Sequence, residues 1–336
     1  MTGAQAPRAT IFELAAAANV SITTVSHVFS GNRPVNAETR RRVLAAAEKL
    51  SYRPSTRARA LATGRSYSLA LQVSFTGEAL LLNTFFAELL PAISLAAVER
   101  GYSFVYVPPA ADAQKFIEPL VDSQRIDGAV FVDPVIGDPF LEAVRASDVP
   151  FASIGRPLDS ASDNWVDNDH AYVCEAVARH LAKSGYKRAA LLTIDGDVSY
   201  LADYRTGYQK AFGEWQHIVI AEQFTFRAAA EAAARALRGS EPPDAFLCIH
   251  DQLAIAVELA VEAEGKRVGE DVAIIGVGDS MLARQARTPL SSVNVFPNRH
   301  GAAVVAMLDE LIAGVQPVAP VLIPTRLVAR GSTRRT

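Results

Sequence analysis

The alternation of apolar and polar positions divides the chain into two parts, and the first part reads as helical. Thr10 and Glu13 have the spacing of a capping box, which marks the start of a first helix. Ser21 is a typical N-cap for a second helix to about Phe29, and Asn36 for a third. The third helix carries apolar residues at helical spacing, namely Val43, Leu44, Ala47 and Leu50. The pattern predicts a minimal three-helix headpiece.

From Ser68 onward, strand-like apolar runs alternate with helical patterns, which is typical of parallel sheets with helices on both faces. The polar stretch from Gly155 to Asp169 divides the strands into two equal sets, so we expect two similar lobes. Two facing parallel sheets create a cleft for a small molecule at the carboxyl ends of their strands. The predicted strands are Leu69 to Val73, Ser103 to Val107, Gly128 to Val132, Phe151 to Ile154, Ala189 to Thr193, His217 to Ile220, Ala245 to Ile249 and Ala273 to Val277.

Charge is distributed unevenly between these parts. Residues 1–66 hold ten Lys and Arg against three Asp and Glu, a net charge of +7, so the overall charge of −3 leaves −10 for the rest. A small basic segment on a larger acidic body indicates a local contact with a polyanion such as DNA. A solvated basic surface is the alternative.

Other classes of protein find less support. Cys174 and Cys248 lie in apolar contexts without metal-ligand spacing, so we expect reduced core thiols, no metal site and a cytoplasmic protein. The apolar runs are too short to span a bilayer, and the N-terminus lacks a secretory signal pattern. Dinucleotide, Walker and nucleophile-elbow motifs are absent, so we expect neither an enzyme nor a cofactor. A solute-binding protein of the periplasmic type is the alternative to a regulator.

The second helix of the headpiece carries the candidate DNA-reading residues. Val25, Val28 and Phe29 share one face and are expected to pack on the first helix. The opposite face is then free to enter a major groove, with an ordinary helical surface as the alternative. That outward face consists of Ile22, Thr23, Ser26 and His27.

At this point the sequence resembles the lactose-repressor (LacI/GalR) family. The resemblance in the headpiece rests on Thr10 to Ala15, Val20 to Ser26, Thr39 to Val43 and Tyr52 to Ser55. It continues through Phe85 to Leu89, Ile126 to Gly128, Ile154 to Pro157, Val166 to Asn168, Gly185-Tyr186, Gly207-Tyr208, Asp271 to Gly276 and Pro289 to Val293.

The resemblance implies an α/β fold: a three-helix helix-turn-helix headpiece and a hinge helix, then a two-lobed, doubly wound domain like that of periplasmic binding proteins. We predict a DNA-binding headpiece at 1–54, a hinge at 55–66 and an effector-binding domain at 67–336. Lobe one is predicted at 67–158 and 297–314, and lobe two at 165–292 and 320–332. Lobe crossings are expected near 156–165, 292–297 and 314–322, with the last helix, 299–313, returning to lobe one.

The resemblance also implies DNA contacts. The residues expected to read bases are Ile22, Thr23 and His27. Those expected to hold phosphates are Ser21, Thr24, Ser26, Ser30, Asn36, Thr39 and Tyr52. In the linker, Ala58 and Leu61 match hinge positions that enter the minor groove, the alternative being a flexible tether.

His27 departs from the family pattern, since most relatives carry arginine there. Histidine titrates near neutrality, so we expect an unusual operator and pH-dependent binding. A surface histidine without a base contact is the alternative.

For the effector, the resemblance implies a cleft lined near Phe85, Phe86, Arg156, Tyr204, Arg205, His250, Asp251, Gly278, Asp279 and Phe296. Several of these depart from the sugar-binding pattern, such as Tyr204 where an arginine is usual. A plain hexose is therefore less expected than a ligand that offers an aromatic face, or an anion to Arg156 or Arg205. Capping roles for Asp251 and Asp279, and a non-binding role for His250, are the alternatives. The predicted function is a transcriptional regulator, a repressor in the commoner case, that binds a pseudo-palindromic operator as a homodimer under control of a small molecule.

Overall fold

The computed structural model describes residues 9–30, 33–52, 64–74, 77, 80, 83–108, 119–121, 125–159, 164–213 and 217–334. The chain forms two compact units, Met1–Ser66 and Tyr67–Thr336. The predicted hinge residues Ala58 and Leu61 lie outside the described residues.

The first unit contains the three predicted helices, α1 (Ile11–Ala17), α2 (Ile22–Ser30) and α3 (Ala37–Lys49). The capping box is confirmed, because the backbone N–H of Glu13 donates to the Thr10 hydroxyl at 3.3 Å and that of Thr10 donates to the Glu13 carboxylate at 2.7 Å. Asn36 caps α3 by accepting from the N–H of Glu38 at 2.8 Å.

The core of this unit is small and is made by one face of each helix. Its buried members are Leu14, Ala15, Ala18, Val25, Val28, Val43, Ala46 and Ala47. The prediction that Phe29 packs on the first helix was wrong: its side chain is exposed and its ring lies 5.8 Å from that of Tyr52. Leu44 and Leu50 are exposed as well, because within the described part of the headpiece α3 packs against α1 and α2 and buries a narrow stripe.

Strands of the second unit are, in chain order, β1 (Ser68–Val73), β2 (Ser103–Val107), β3 (Gly128–Val132), β4 (Phe151–Ile154), β5 (Trp165–Asn168), β6 (Ala189–Ile194), β7 (His217–Ala221), β8 (Ala245–Cys248), β9 (Ala273–Val277), β10 (Ser291–Asn294), β11 (Val321–Ile323) and β12 (Arg326–Val328). Its helices are α4 (Thr84–Glu99), α5 (Pro139–Arg145), α6 (His170–Lys183), α7 (Ser199–Phe212), α8 (Phe226–Leu237), α9 (Asp251–Ala263), α10 (Met281–Gln285) and α11 (Pro297–Ile312). A short 3-10 helix follows at Gly331–Thr333.

These strands form two six-stranded sheets, one in each lobe. The order in lobe one is β11-β5-β4-β3-β1-β2 and the order in lobe two is β12-β10-β9-β8-β6-β7. Pairing is parallel throughout except between β10 and β12, which is antiparallel. The architecture is the predicted two-lobed α/β fold.

All eight predicted strands are confirmed, but the predicted lobe boundaries were wrong in two places. The stretch after Gly155 contains β5, which pairs with β4 and belongs to lobe one, as does β11. The chain therefore crosses at 169, at 295–296 and at 324–325. The pattern missed β5 because two of its four side chains, Asp167 and Asn168, are polar and line a cavity between the lobes.

The last helix, α11, returns to lobe one as predicted and packs against α4. Gly301 makes this approach possible: a Cβ there would lie 2.7 Å from the backbone nitrogen of Ile93. Buried apolar side chains cover both faces of the lobe-one sheet and form a larger continuous core in lobe two.

Among the described residues, no single helix is long and apolar enough to cross a membrane. Only α1 and α2 taken together pass on length and composition, and they are bent by 102° at the break between them.

Candidate functional site

The first unit presents a helix-turn-helix. The axes of α1 and α2 meet at 102° across a short turn, which is the geometry of helix pairs that place their second helix in a major groove. On α2, Ile22 and Thr23 are exposed, and Ser26 and His27 are partly exposed. Val25 and Val28 on the opposite face are buried, so the core holds α2 with its polar face outward.

Several hydroxyl groups near this face already have local partners. Ser21 Oγ accepts from the N–H of Thr24 at 3.1 Å and lies 2.8 Å from the Thr24 hydroxyl, so it caps α2 as predicted. Tyr52 is partly buried beside Phe29, and burial raises the pKa of its phenol. Thr39 is partly exposed near the start of α3. Of Ser30, the structure describes the backbone only.

The second unit has a cleft between its lobes, formed mainly where parallel strands end. Its cavity has about 530 Å³ of space between atoms, including the part open to solvent. Lobe one contributes Asn83, Phe85, Asp133, Ile154, Gly155 and His300. Asp167 and Asn168 of β5 also belong to lobe one, and Val295 lies at a crossing. Lobe two contributes His170, Tyr200, Tyr204, Ile249, His250, Val277 and Gly278.

An ion pair lies in the wall of this cavity. Nε2 of His170 is 3.0 Å from Oδ1 of Asp167, and both side chains are buried. Burial alone would lower the pKa of His170, but the charge and hydrogen bond of Asp167 outweigh it and raise that pKa. Burial likewise opposes ionisation of Asp167, yet the pKa of this carboxyl is lowered by His170 and by the N–H of Asn168. Both shifts favour the charged form of the pair.

Asp133 adds a second carboxyl group to the cavity. It directly follows β3 and has a left-handed backbone with φ of 51°. Burial, and then the negative charge of Asp167, raise the pKa of Asp133 from 3.8 to about 7. No described residue donates a hydrogen bond to its carboxylate. Asp133 is therefore an acceptor whose charge changes near neutral pH.

The other histidines of the cavity favour the neutral form. Burial, and then the nearby charge of His170, lower the pKa of His250 to about 4. Burial also lowers the pKa of His300, whose Nδ1 lies 3.1 Å from the carbonyl oxygen of Phe296. No Lys or Arg side chain from the described residues lines the cavity. Its only stabilised positive charge is thus the one paired with Asp167.

Two buried polar atoms in the cavity wall have no hydrogen-bond partner, Nδ1 of His170 and the hydroxyl of Tyr204. His170 is 8% exposed and Tyr204 is 1% exposed, and their ring centroids are 4.8 Å apart. Buried polar groups are nearly always satisfied, so two neighbouring residues whose polar atoms have no protein partner mark a candidate site for ligand oxygen atoms.

Comparison with known proteins gives this arrangement a family. The profile described as bacterial regulatory proteins, lacI family, matches residues 10–55, and a periplasmic binding protein-like domain matches residues 178–333. The transcriptional regulator CelR of Thermobifida fusca is 30% identical over 335 residues, covering 97% of this chain and 98% of the relative. The chain belongs to the lacI family. It is a DNA-binding transcriptional regulator.

Further relatives and solved structures agree with this assignment. The repressor PurR of Photobacterium profundum is 26% identical over 90% of this chain and 92% of its own length. A transcriptional regulator CelR–cellobiose complex has a TM-score of 0.73 at 26% identity and covers 97% of this chain and all of that chain. The Lac repressor dimer bound to operator and the anti-inducer ONPF shares the fold, with a TM-score of 0.81 at 24% identity over 98% of this chain and all of that chain.

Four residues that the family resemblance placed near the effector line the cavity of this lacI-family protein: Phe85, Tyr204, His250 and Gly278. Phe86 does not, because its ring is buried in the lobe-one core. Phe296 lies at a crossing, where the guanidinium of Arg299 stacks 4.3 Å from its ring centroid.

The predicted charged contacts are engaged within the protein instead. Asp251 accepts from the hydroxyl of Ser292 at 2.6 Å and from the N–H of Ser280 at 2.7 Å. The remaining three form ion pairs outside the cavity: Asp279 with Arg330, Arg156 with Asp203 and Arg205 with Asp195. These contacts also differ from the capping alternative for the two aspartates, because the N-caps of α9 and α10 are His250 and Ser280.

Sequence reasoning missed Asp133 and His170 as cavity residues. Asp133 carried a usable signal, because it directly follows a correctly predicted buried strand and such positions line the ligand side of a parallel sheet. His170 carried none, since its role depends on Tyr204 from another helix and on the crossing after β5, which was not predicted.

Proposed function

We propose that this regulator binds a pseudo-palindromic DNA operator as a homodimer and that a small molecule in the interlobe cleft controls its affinity for that operator. The observation that carries the proposal is the presence, in one chain, of an exposed recognition face on α2 and a cavity with unpartnered buried polar atoms. Relatives named as repressors support a repressor rather than an activator. Action on DNA also supports a cytoplasmic location and argues against catalysis.

For the DNA contacts, we assign base reading to Ile22, Thr23 and His27 on the outward face of α2. The phosphate contacts are assigned to hydroxyl and amide side chains of the headpiece. These are Ser21, Thr24, Ser26, Ser30, Asn36, Thr39 and Tyr52. Ala58 and Leu61 are likewise proposed to enter the minor groove.

The effector is proposed to be a neutral, hydroxyl-rich molecule such as a disaccharide. The earlier expectation of an anion loses its support because Arg156 and Arg205 are paired with carboxylates outside the cavity. Asp133 provides a carboxylate that can accept from ligand hydroxyls, and aromatic rings such as those of Phe85 and Tyr200 provide stacking surfaces. The cellobiose complex of the CelR regulator supports the same class of ligand.

Control is proposed to act through the three crossings between the lobes. A ligand that contacts both lobes favours one lobe arrangement over another by its difference in affinity for the two. The lobes in turn determine how the paired hinges are held on DNA.

DNA sequences selected from a random library by the full chain test the first half of the proposal. Affinity for the selected sequence should fall steeply with salt, and His27→Ala should change the selected sequence. His217→Ala, in lobe two and outside the cleft, is the matched control and should change neither. Selection of no preferred sequence would overturn the proposal.

Thermal unfolding of the full chain with neutral sugars, sugar acids, nucleosides and aromatic acids tests the second half. A ligand at 100 times its dissociation constant adds about 2.7 kcal/mol to the free energy of unfolding. Stabilisation by neutral sugars supports the proposed effector class. Stabilisation by the acids alone would contradict it.

A further inference from the structure

The rings of His170 and Tyr204, each with an unpartnered polar atom, lie side by side in the cavity wall with centroids 4.8 Å apart, but they come from different helices. His170 is the first residue of α6, directly after the crossing from β5, whereas Tyr204 lies in the middle of α7. Both helices belong to lobe two and pack closely, since a Cβ on Gly207 would lie 2.7 Å from Cα of Ala171. This packing holds the two rings in a fixed relation without a ligand.

The partners of His170 decide what its free nitrogen can do. Nε2 of His170 is hydrogen-bonded to Asp167, so the proton on Nε2 is not available to a ligand. In the charged imidazolium Nδ1 also carries a proton and is a donor, whereas in the neutral ring with Nε2–H it is an acceptor. The favoured charged form therefore presents a charge-assisted donor, and the Tyr204 hydroxyl presents a second donor beside it.

We propose that His170 and Tyr204 form a donor pair that binds oxygen atoms of the effector and determines the specificity of the cleft for hydroxyl-bearing ligands. This inference rests on the proposed function of the cleft and deepens it. Asp133, in the same cavity, accepts hydrogen bonds from the hydroxyls that the donor pair orients. Because these donors are buried without protein partners, a ligand oxygen that accepts from them removes a cost that the free protein carries.

The charge state of the donor pair depends on every group that faces it. Asp167 on β5, Asp133 after β3 and Asp203 on α7 favour the imidazolium. His250 after β8 and His300 on α11 also lie close enough for repulsion, and both favour the neutral form. Tyr200 lies beside the ring with its centroid 6.2 Å away. The contribution of the imidazolium to ligand affinity is expected to fall as the pH rises through the raised pKa of His170, and the variant Asp133→Asn removes the opposing effect of Asp133 ionisation.

The test uses the full chain and cellobiose, with cellobionate as an anionic probe of similar size, in calorimetric titrations. Tyr204→Phe removes one hydroxyl and should weaken cellobiose binding about 3- to 10-fold. His170→Gln removes the charged donor and should weaken it at least about 10-fold, and the pH dependence described above should be lost. Tyr172→Phe removes an exposed hydroxyl on α6 and should leave affinity unchanged.

Thermal unfolding without ligand separates binding from structural roles. Tyr204→Phe deletes an unsatisfied buried hydroxyl, so the unfolding temperature of the free protein should stay level or rise. A lowered temperature would mean that the hydroxyl has a structural partner and would overturn the inference.

The outcomes also separate this inference from the proposed function. Binding of cellobiose that survives both substitutions unchanged overturns the donor pair but leaves the cleft as a sensor. Failure of the wild-type chain to bind cellobiose or any compound of the ligand set overturns both. Preference for cellobionate would contradict specificity for neutral ligands.

Discussion

The two binding regions of this regulator place polar side chains in opposite environments. On α2 of the headpiece, candidate DNA-contacting residues such as Thr23 are exposed or partly exposed, and water satisfies them when DNA is absent. In the cleft, His170 and Tyr204 are buried, and each has a polar atom without a partner. The polar residues on α2 therefore cost the free protein little stability, whereas those in the cleft leave buried polar atoms without hydrogen bonds.

This difference teaches how the two regions should respond to substitution. Removing a polar group from the recognition face of α2 should change function and leave stability nearly unchanged. Removing one from the cleft should move stability too, in a direction set by whether the group has a partner. The expected changes in unfolding free energy decrease from Asp251 through Asp133 and Thr10 to the recognition face.

The largest effect is expected at Asp251, which sequence comparison placed in the cleft and the structure places in a buried hydrogen-bond network. Asp251→Ala leaves the N–H of Ser280 and the hydroxyl of Ser292 without an acceptor, which should cost about 3 kcal/mol of unfolding free energy. Urea unfolding measures this. A variant that keeps its stability and loses only ligand affinity would show that Asp251 belongs to the effector site after all.

A pH-dependent effect is expected at Asp133. Its pKa is raised to about 7 in the folded protein, so the carboxylate is disfavoured there and the fold loses stability as the pH rises from about 4 to 7. Asp133→Asn cannot ionise and tolerates the same left-handed backbone. Its advantage over wild type should grow from near zero at pH 4 to about 1–3 kcal/mol at pH 8, a range reduced for the partial exposure of the side chain. An advantage that is equal at both pH values would contradict the shift.

A smaller effect is expected in the headpiece at the cap of α1. Thr10→Ala removes the hydroxyl that accepts from the N–H of Glu13 and should destabilise this unit by about 1 kcal/mol. Thr10→Ser keeps the hydroxyl and is the matched control. Amide hydrogen exchange in α1 and α2, compared with exchange in β8, would locate the loss. Faster exchange in β8 alone would contradict a loss of stability confined to the headpiece.

The smallest stability effect is expected on the recognition face. Ile22→Ala and His27→Arg alter side chains that are outside the headpiece core, so unfolding free energies should change by no more than about 0.5 kcal/mol. Each should nevertheless change the DNA sequence selected from a random library. A large loss of stability with an unchanged selected sequence would show that these side chains support the helix instead of reading DNA.

The sequence alone was sufficient for the elements whose pattern is local. The capping box at Thr10 and the buried strands such as β3 follow from spacing and apolar runs, whereas the return of α11 to lobe one came from the family resemblance. β5 did not, because Asp167 and Asn168 make it look like a turn although pairing with β4 and β11 fixes it as a strand.

The candidate site was less predictable because it depends on contacts between distant parts of the chain. Family resemblance correctly placed Phe85, Tyr204 and His250 at the cavity, yet it also placed Asp279 there, which is paired with Arg330. Whether a polar side chain faces a cavity or an internal partner is decided by tertiary packing. His170 shows the same point in reverse, since its neighbours come from β5 and α7.

The central claim is that the cleft and the headpiece act as one regulator, and their thermodynamic coupling tests it most directly. We would measure the affinity of the full chain for its selected DNA with and without the ligand found in the stability screen, and the ligand affinity with and without that DNA. The account predicts a change of about 5- to 150-fold in the first measurement and the same factor in the second, because coupling is reciprocal. Two affinities that do not respond to each other would contradict it.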